Sequence, residues 1–257
     1  MFKKFDTKTY EDLRRQHNIF VLVGNGFDIS VLKRFKSNKI PIRTTSYVDF
    51  YDYISSSSLC EKDDILYKKM TEDRSLGKEN WSDFENTIKE LLDSSGSGIV
   101  EDLEKSVDKF QSFFTKFLNE LVDTVTLLDL DKKVRGDKLS IQSLARFLKD
   151  LEDLDQLAFV ERLEHYHLFN YVFANFNYTS LLDNYLFLDK EQFNPHAFTR
   201  GDRSFYFKYT LPGQDETFYS SYLLSEVIHP HGIQDIPRSI LFGIDLERYD
   251  RATDKRK

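Results

Sequence analysis

Three short segments hold the side chains that could do chemistry. In the first, Gly24, Asn25, Gly26, Phe27 and Asp28 follow directly on an apolar run. Two glycines let the backbone approach a phosphate or a ribose closely, and a helix starting there favours an anion at its N-terminus. Position 29 is isoleucine, where the G-x-G-x-x-G dinucleotide fingerprint needs glycine, so a tight strand-to-helix turn without a ligand also explains the segment. The second segment, Asn175 to Asp183, sets Asn175, Asn177 and Thr179 where a buried strand ends and a helix begins. An asparagine amide both donates and accepts, which suits a ribose hydroxyl or an attacking water. Helix capping by Asn177 or Thr179 is the plainer alternative.

The third segment is Ile228-His229-Pro230-His231-Gly232, followed by Ile240 to Asp245. Histidine titrates near neutrality and so suits proton transfer, while Gly232 lets a substrate lie close. A metal is the rival reading, because histidines at i and i+2 on a strand point the same way. No nearby carboxylate has the third-ligand spacing of a zinc protease, and no metal is expected. Pro230 disturbs the strand and lets the two rings diverge. His165 and His167 form a second H-x-H, at a charged helix end where a solvated surface is expected.

The elements that must position these groups follow from periodicity. Ile19 to Val23 is a continuous apolar run rich in β-branched residues and reads as a strand buried on both faces. Lys33 to Thr45 is basic and reads as a loop leading into a helix over 47–54, with a turn at 55–58. Trp81, Phe84, Ile88, Leu91 and Leu92 form one stripe of an amphipathic helix, with Ser82 or Asp83 available as cap. Leu103, Val107, Phe110, Phe114, Phe117, Leu118 and Leu121 continue the helical pattern through the stretch 100–130. A second buried strand is expected from Phe169 to Ala174 or Asn175, and a helix from Thr179 or Ser180. Further strands are expected at 205–209, 222–228 and 239–242. Strands separated by helices give an α/β fold with a mainly parallel sheet, in which ligands bind at the carboxyl ends of the strands.

Composition narrows the functions. The chain has 257 residues and a formal charge of −7, so the broad basic surface that grips nucleic acid is not expected. With 40% hydrophobic residues, including 23 Phe and 14 Tyr, it has ample material for a core. Its one cysteine, Cys60, makes no internal disulfide and suits a reducing cytosol, so a cytoplasmic location is expected. The charged N-terminus lacks an apolar signal region, and no apolar run is long enough to span a membrane.

Taken in order, FVLVGNGFDI, WSDFENTIKELL, FANFNYTSLLD, and VIHPHG with ILFGID resemble the AbiH family of bacterial abortive-infection proteins. The blocks span about residues 18 to 245. That family is similar to sirtuin-like NAD-binding domains, which carry a glycine loop after strand one, an asparagine at a strand end and a histidine–glycine pair. The resemblance implies a single Rossmann-type, sirtuin-like α/β domain over 1–257, with a large helical insertion after strand one at about 47–165. It also implies Asn177 and His231 as catalytic residues, leaving His229 in a supporting or core position. Gly24, Asn25, Gly26, Phe27, Asp28, Asn175, Thr179 and Gly232 would then surround NAD, the substrate.

This chain departs from the pattern in three places. The stretch from Ser30 to Thr45 is longer and more basic than in AbiH relatives. Thr179 stands where sirtuin-like NADases carry aspartate, and the chain stops soon after ILFGID, as a cut end would. The function implied is an anti-phage effector that hydrolyses the nicotinamide–ribose bond of NAD. Two alternatives stand beside it. One is a nucleotide-binding sensor without turnover, answering a phage trigger or a companion defence protein, or working as a homo-oligomer. The other is a metal-dependent nuclease using Asp28, Asp183 and Asp245.

Overall fold

The computed structural model describes residues 15–35, 43–148, 163–187, 206–209 and 217–242. In chain order the elements are β1 (Gln16–Val23), α1 (Gly26–Phe35), α2 (Tyr47–Ser56), α3 (Ile65–Ser75), α4 (Phe84–Ser95) and α5 (Val100–Leu121). They continue with α6 (Thr124–Asp137), α7 (Leu139–Ala145), β2 (Leu168–Asn175), α8 (Leu181–Leu186), β3 (Tyr206–Tyr209), β4 (Thr217–Ser220) and β5 (Tyr222–Ile228). The chain divides into two compact units. One comprises Met1–Ile42 and Val122–Pro230, the other Arg43–Leu121 and His231–Lys257. The helices between β1 and β2 are therefore shared: α2 to α5 belong to the second unit, and α1, α6 and α7 to the first.

In the first unit β1, β2 and β5 form a parallel sheet in the order β1-β2-β5, and β3 pairs antiparallel with β4. This is a mixed α/β fold, with the parallel strands expected from the sequence. One face of the sheet is packed by Phe169, Tyr171 and Phe173 of β2 together with Leu144, Leu182, Leu186 and Leu223. The Tyr171 hydroxyl is buried but satisfied, donating to the Leu144 carbonyl at 2.7 Å. Ile19, Val21, Val23 and Phe27 pack against the same core.

The other face corrects the expectation that β1 is buried on both sides. Phe20 and Leu22 are 63% and 66% exposed, so β1 alternates. Among the described residues it is the first strand of the sheet, and a continuous apolar run cannot by itself show whether the second face of that sheet is covered.

The second unit is a helical cluster around Phe50, Phe84, Phe110, Phe114 and Phe117, all essentially fully buried. Phe50 meets Phe84, Phe110 and Phe114 edge-on, as aromatic quadrupoles prefer, Phe114 and Phe117 stack, and Phe242 stands edge-on to Phe84 at 4.4 Å. Helix α2 begins at Ser46, whose hydroxyl accepts from the Asp49 amide while donating to the Asp49 carboxylate, a reciprocal cap. Helix α4 starts three residues later than the Trp81 stripe suggests. The Asp83 carboxylate accepts from the Asn86 amide and fixes that start, while Trp81 stands edge-on to Tyr51.

Other expectations shift for local reasons. The helical pattern through 100–130 is two helices, because Asp123 adopts an extended conformation and caps α6 by accepting from the Thr126 amide. The strand expected at 239–242 is not formed. Residues Pro237–Ser239 make a 3-10 turn, held by the Ser239 hydroxyl on the Ile236 carbonyl. His167 is not on a solvated surface. It is buried before β2 and lies 2.9 Å from the His17 ring, and burial holds both imidazoles below their ordinary pKa. No helix among the described residues is long and apolar enough to cross a membrane.

The Phe84 stripe is core. Phe84→Ala should cost about 3–5 kcal/mol in denaturant unfolding. An unchanged midpoint would contradict this packing.

Candidate functional site

The polar residues singled out in the first unit converge where the sheet ends. In register, Val23 of β1 lies beside Asn175 of β2, and the neighbouring pair Ala174 and Ile228 brings the end of β5 alongside. The chain leaves β1 through Gly24 and Asn25 into α1, and leaves β2 through residues 176–180 into α8. These two crossings meet on the carboxylate of Asp28, in the first turn of α1.

Asp28 is fully buried. Thr179 donates its hydroxyl to Oδ2 at 2.6 Å, and Asn177 donates Nδ2 to Oδ1 at 3.1 Å. The second Asn177 amide proton goes to the Gly24 carbonyl, also at 3.1 Å. What Asn177 can still offer a ligand is therefore its carbonyl oxygen. Asn175 Oδ1 accepts from the Asn177 backbone amide, and Thr179 Oγ1 accepts from the Leu181 amide at the start of α8. The capping and the ribose-binding readings of this segment thus fall on different atoms of the same residues.

Burial pushes the Asp28 carboxyl up to about 7, and the charge of Asp183 adds to the rise. The hydrogen bonds from Thr179 and Asn177 and the charge of His229 oppose it.

His229 and Asp183 complete the cluster. His229 Nε2 lies 3.1 Å from both Asp183 oxygens. That hydrogen bond raises the imidazole pKa above its ordinary value, against the opposing effect of burial. The Asp183 charge, the Asn177 backbone carbonyl as an acceptor for the protonated ring, and the Asp28 charge add to the rise. Sequence reasoning placed His229 in a supporting role and Asp183 only among nuclease carboxylates. No spacing in the sequence marked the pair, because it depends on how α8 turns against the end of β5.

The remaining predicted residues are distributed as follows. Gly24, Asn25 and Gly26 are exposed at the turn, while Phe27 packs edge-on to Tyr185 and belongs to the core. Gly24 and Gly26 avoid the left-handed region, and a Cβ at either would meet nothing within 4 Å. Among the described residues no contact or backbone angle requires glycine at these two positions. Gly232 is the opposite case: its φ is +89°, and a Cβ would stand 1.9 Å from the Ser239 carbonyl oxygen. The chain's own backbone accounts for that glycine.

His231 and Gly232 lie in the second compact unit, whereas Asn177 and the rest of the cluster lie in the first. Among the described residues no group of three His, Cys, Asp or Glu is arranged to hold a metal. Asp245 lies outside the described residues.

Fold and site together define an α/β protein with a polar cluster at the carboxyl ends of parallel strands, where such folds bind their ligands. The chain belongs to the bacteriophage abortive infection AbiH family, whose model matches residues 20–256. Neither a curated protein nor a solved structure matches it.

The raised Asp28 carboxyl has a consequence for stability. The folded state keeps this proton to higher pH than the unfolded chain. The stabilisation is complete below the ordinary value of 3.8 and is lost as pH rises through about 7. Relative to Asp28→Asn, the wild-type unfolding free energy should fall by on the order of 4 kcal/mol between about pH 4 and pH 8. Denaturant titrations of both proteins check this, and parallel pH profiles would contradict it.

Proposed function

We propose that this AbiH protein acts in abortive infection by binding a nucleotide at the β1–α1 turn and hydrolysing NAD at the nicotinamide–ribose bond. In this reading the three parallel strands are the centre of a Rossmann-type, sirtuin-like sheet, and NAD is the substrate rather than a resident cofactor. The observation that carries it is the bare glycine turn. Gly24 and Gly26 are exposed, lie at the carboxyl end of β1 and have open space around them among the described residues, so a ligand can approach their backbone closely. Helix α1 begins at Gly26, so its N-terminal dipole favours a phosphate there.

Cleavage of the nicotinamide–ribose bond passes through an oxocarbenium-like state, which calls for a held ribose and one oriented water. The Asn177 carbonyl oxygen and the adjacent strand ends supply polar groups for that purpose. Loss of NAD would halt both the infected cell and the phage within it.

A second reading has its own support. The Asn177 amide protons and the Thr179 hydroxyl are committed to Asp28 and Gly24, so much of the motif builds the loop rather than facing a substrate. That favours a nucleotide sensor that signals to a companion protein without turnover.

Incubating the purified protein with NAD and with a panel of other nucleotides, while following free nicotinamide, separates the two. Hydrolysis releases nicotinamide from NAD alone, whereas a sensor binds a nucleotide without release. In either case Gly26→Val should weaken nucleotide binding at least roughly tenfold while leaving the melting temperature near wild type, because its side chain enters open space. Unchanged affinity in folded Gly26→Val would remove the glycine turn from the site.

A further inference from the structure

Two buried nitrogen atoms at the strand ends have no hydrogen-bond partner among the described residues. They are Asn175 Nδ2 and His229 Nδ1. Asn175 is completely buried, and its amide orientation is fixed because Oδ1 accepts from the Asn177 backbone. An unpartnered buried donor costs about 1–3 kcal/mol, so a native site that keeps one has a use for it.

The two atoms belong to neighbouring positions. Ala174 pairs with Ile228, so Asn175 and His229 follow side by side at the ends of β2 and β5. Asn175 continues the face of Phe169, Tyr171 and Phe173, and His229 continues that of Leu223 and Val227. The first four of those residues belong to the core cluster on one side of the sheet, and Val227 packs against it.

Asp183 determines what the His229 ring offers. Both its oxygens lie at 3.1 Å from Nε2, so the neutral ring carries its proton on Nε2 and leaves the Nδ1 lone pair open. The Asn177 backbone carbonyl favours the protonated ring, and no hydrogen bond of ordinary length joins it to Nδ1 in the neutral form. One donor and one acceptor, on neighbouring strand ends and without a partner among the described residues, match the needs of a single O–H group.

We propose that Asn175 and His229 hold the attacking water of the hydrolysis, with His229 as general base and Asp183 as the residue that positions it. This inference rests on the NAD-hydrolase reading. Asn175 Nδ2 donates to the water oxygen, and the water donates to His229 Nδ1. As the oxygen bonds to the anomeric carbon, the carbon–nitrogen bond to nicotinamide breaks and its electron pair neutralises the pyridinium nitrogen. The water proton passes to Nδ1, the imidazolium is stabilised by Asp183, and the proton then leaves to solvent. NAD and water thereby give ADP-ribose, nicotinamide and one proton.

The charged groups facing His229 are Asp183 of α8 and Asp28 of α1. Both favour the imidazolium, so the rate should climb as pH rises through a value above the ordinary histidine range.

The test is steady-state NAD hydrolysis by the full chain across pH, with wild type, His229→Ala, His229→Gln and Asp183→Asn. His229→Gln keeps a side chain able to donate to Asp183, and Asp183 is partly exposed, so these two variants carry the test if His229→Ala does not fold. Both histidine variants should lower kcat by about 10²–10⁴ with KM little changed. Asp183→Asn should lower kcat and move the acid limb to lower pH, which a merely structural loss would not do. If wild type releases nicotinamide and folded His229→Gln does so at the wild-type kcat, the general-base role is overturned while the NAD-hydrolase reading stands. If wild type releases none, both fall.

Discussion

A carboxylate buried without partners would cost several kcal/mol, and Asp28 sits where no water reaches it. The fold meets that constraint with three residues of one short loop. Thr179 and Asn177 donate to the two carboxylate oxygens, and Asn175 holds the Asn177 backbone in place to do so. Because Asn177 also reaches the Gly24 carbonyl, the exits from β1 and β2 are tied into one structure. The glycine turn, the start of α8 and the position of Asp183 all follow from that tie. Burial leaves the carboxyl up at about 7, so the tie is made partly by a neutral acid near physiological pH.

The same arrangement separates the structural part of the motif from the part available to a ligand. Polar atoms directed at Asp28 are consumed, while Asn175 Nδ2 and His229 Nδ1 at the strand ends have no partner among the described residues. Asn175 shows the division within one side chain, its oxygen building the loop and its nitrogen left over. A second division separates His229 from His231. Two residues apart in sequence, they fall in different compact units, and His229 belongs to the cluster with Asp183 beside Asp28.

Much of this was legible in the sequence wherever a residue's role is local. The apolar run after residue 18, the strand ending at Asn175, the helix after Ser180 and the strand 222–228 all read correctly, because hydrophobic period and polar boundaries lie within a few residues of each other. The stripe from Phe84 to Leu91 proved buried for the same reason. Features set by tertiary contact were not legible. Nothing local marks β1 as exposed on one face, Asp123 as a helix break within a helical pattern, or His167 as the partner of His17 across 150 positions. At the site, the order of motifs brought Gly24, Asp28, Asn175, Asn177 and Thr179 to one place. The pairing of Asp183 with His229 depends on the turn of α8 against the end of β5, which spacing alone does not fix.

The central claim is that one buried carboxylate couples the two loops, and a double-mutant cycle between Asp28 and Thr179 tests it most directly. Unfolding free energies of Asp28→Ala, Thr179→Val and the double variant yield the energy of the pair apart from each residue's own packing. A hydrogen bond to a buried, ionisable acceptor should give a coupling of about 1.5–3 kcal/mol. Costs that add to within about 0.5 kcal/mol would show that the two residues act independently and that the loops are held together by something else.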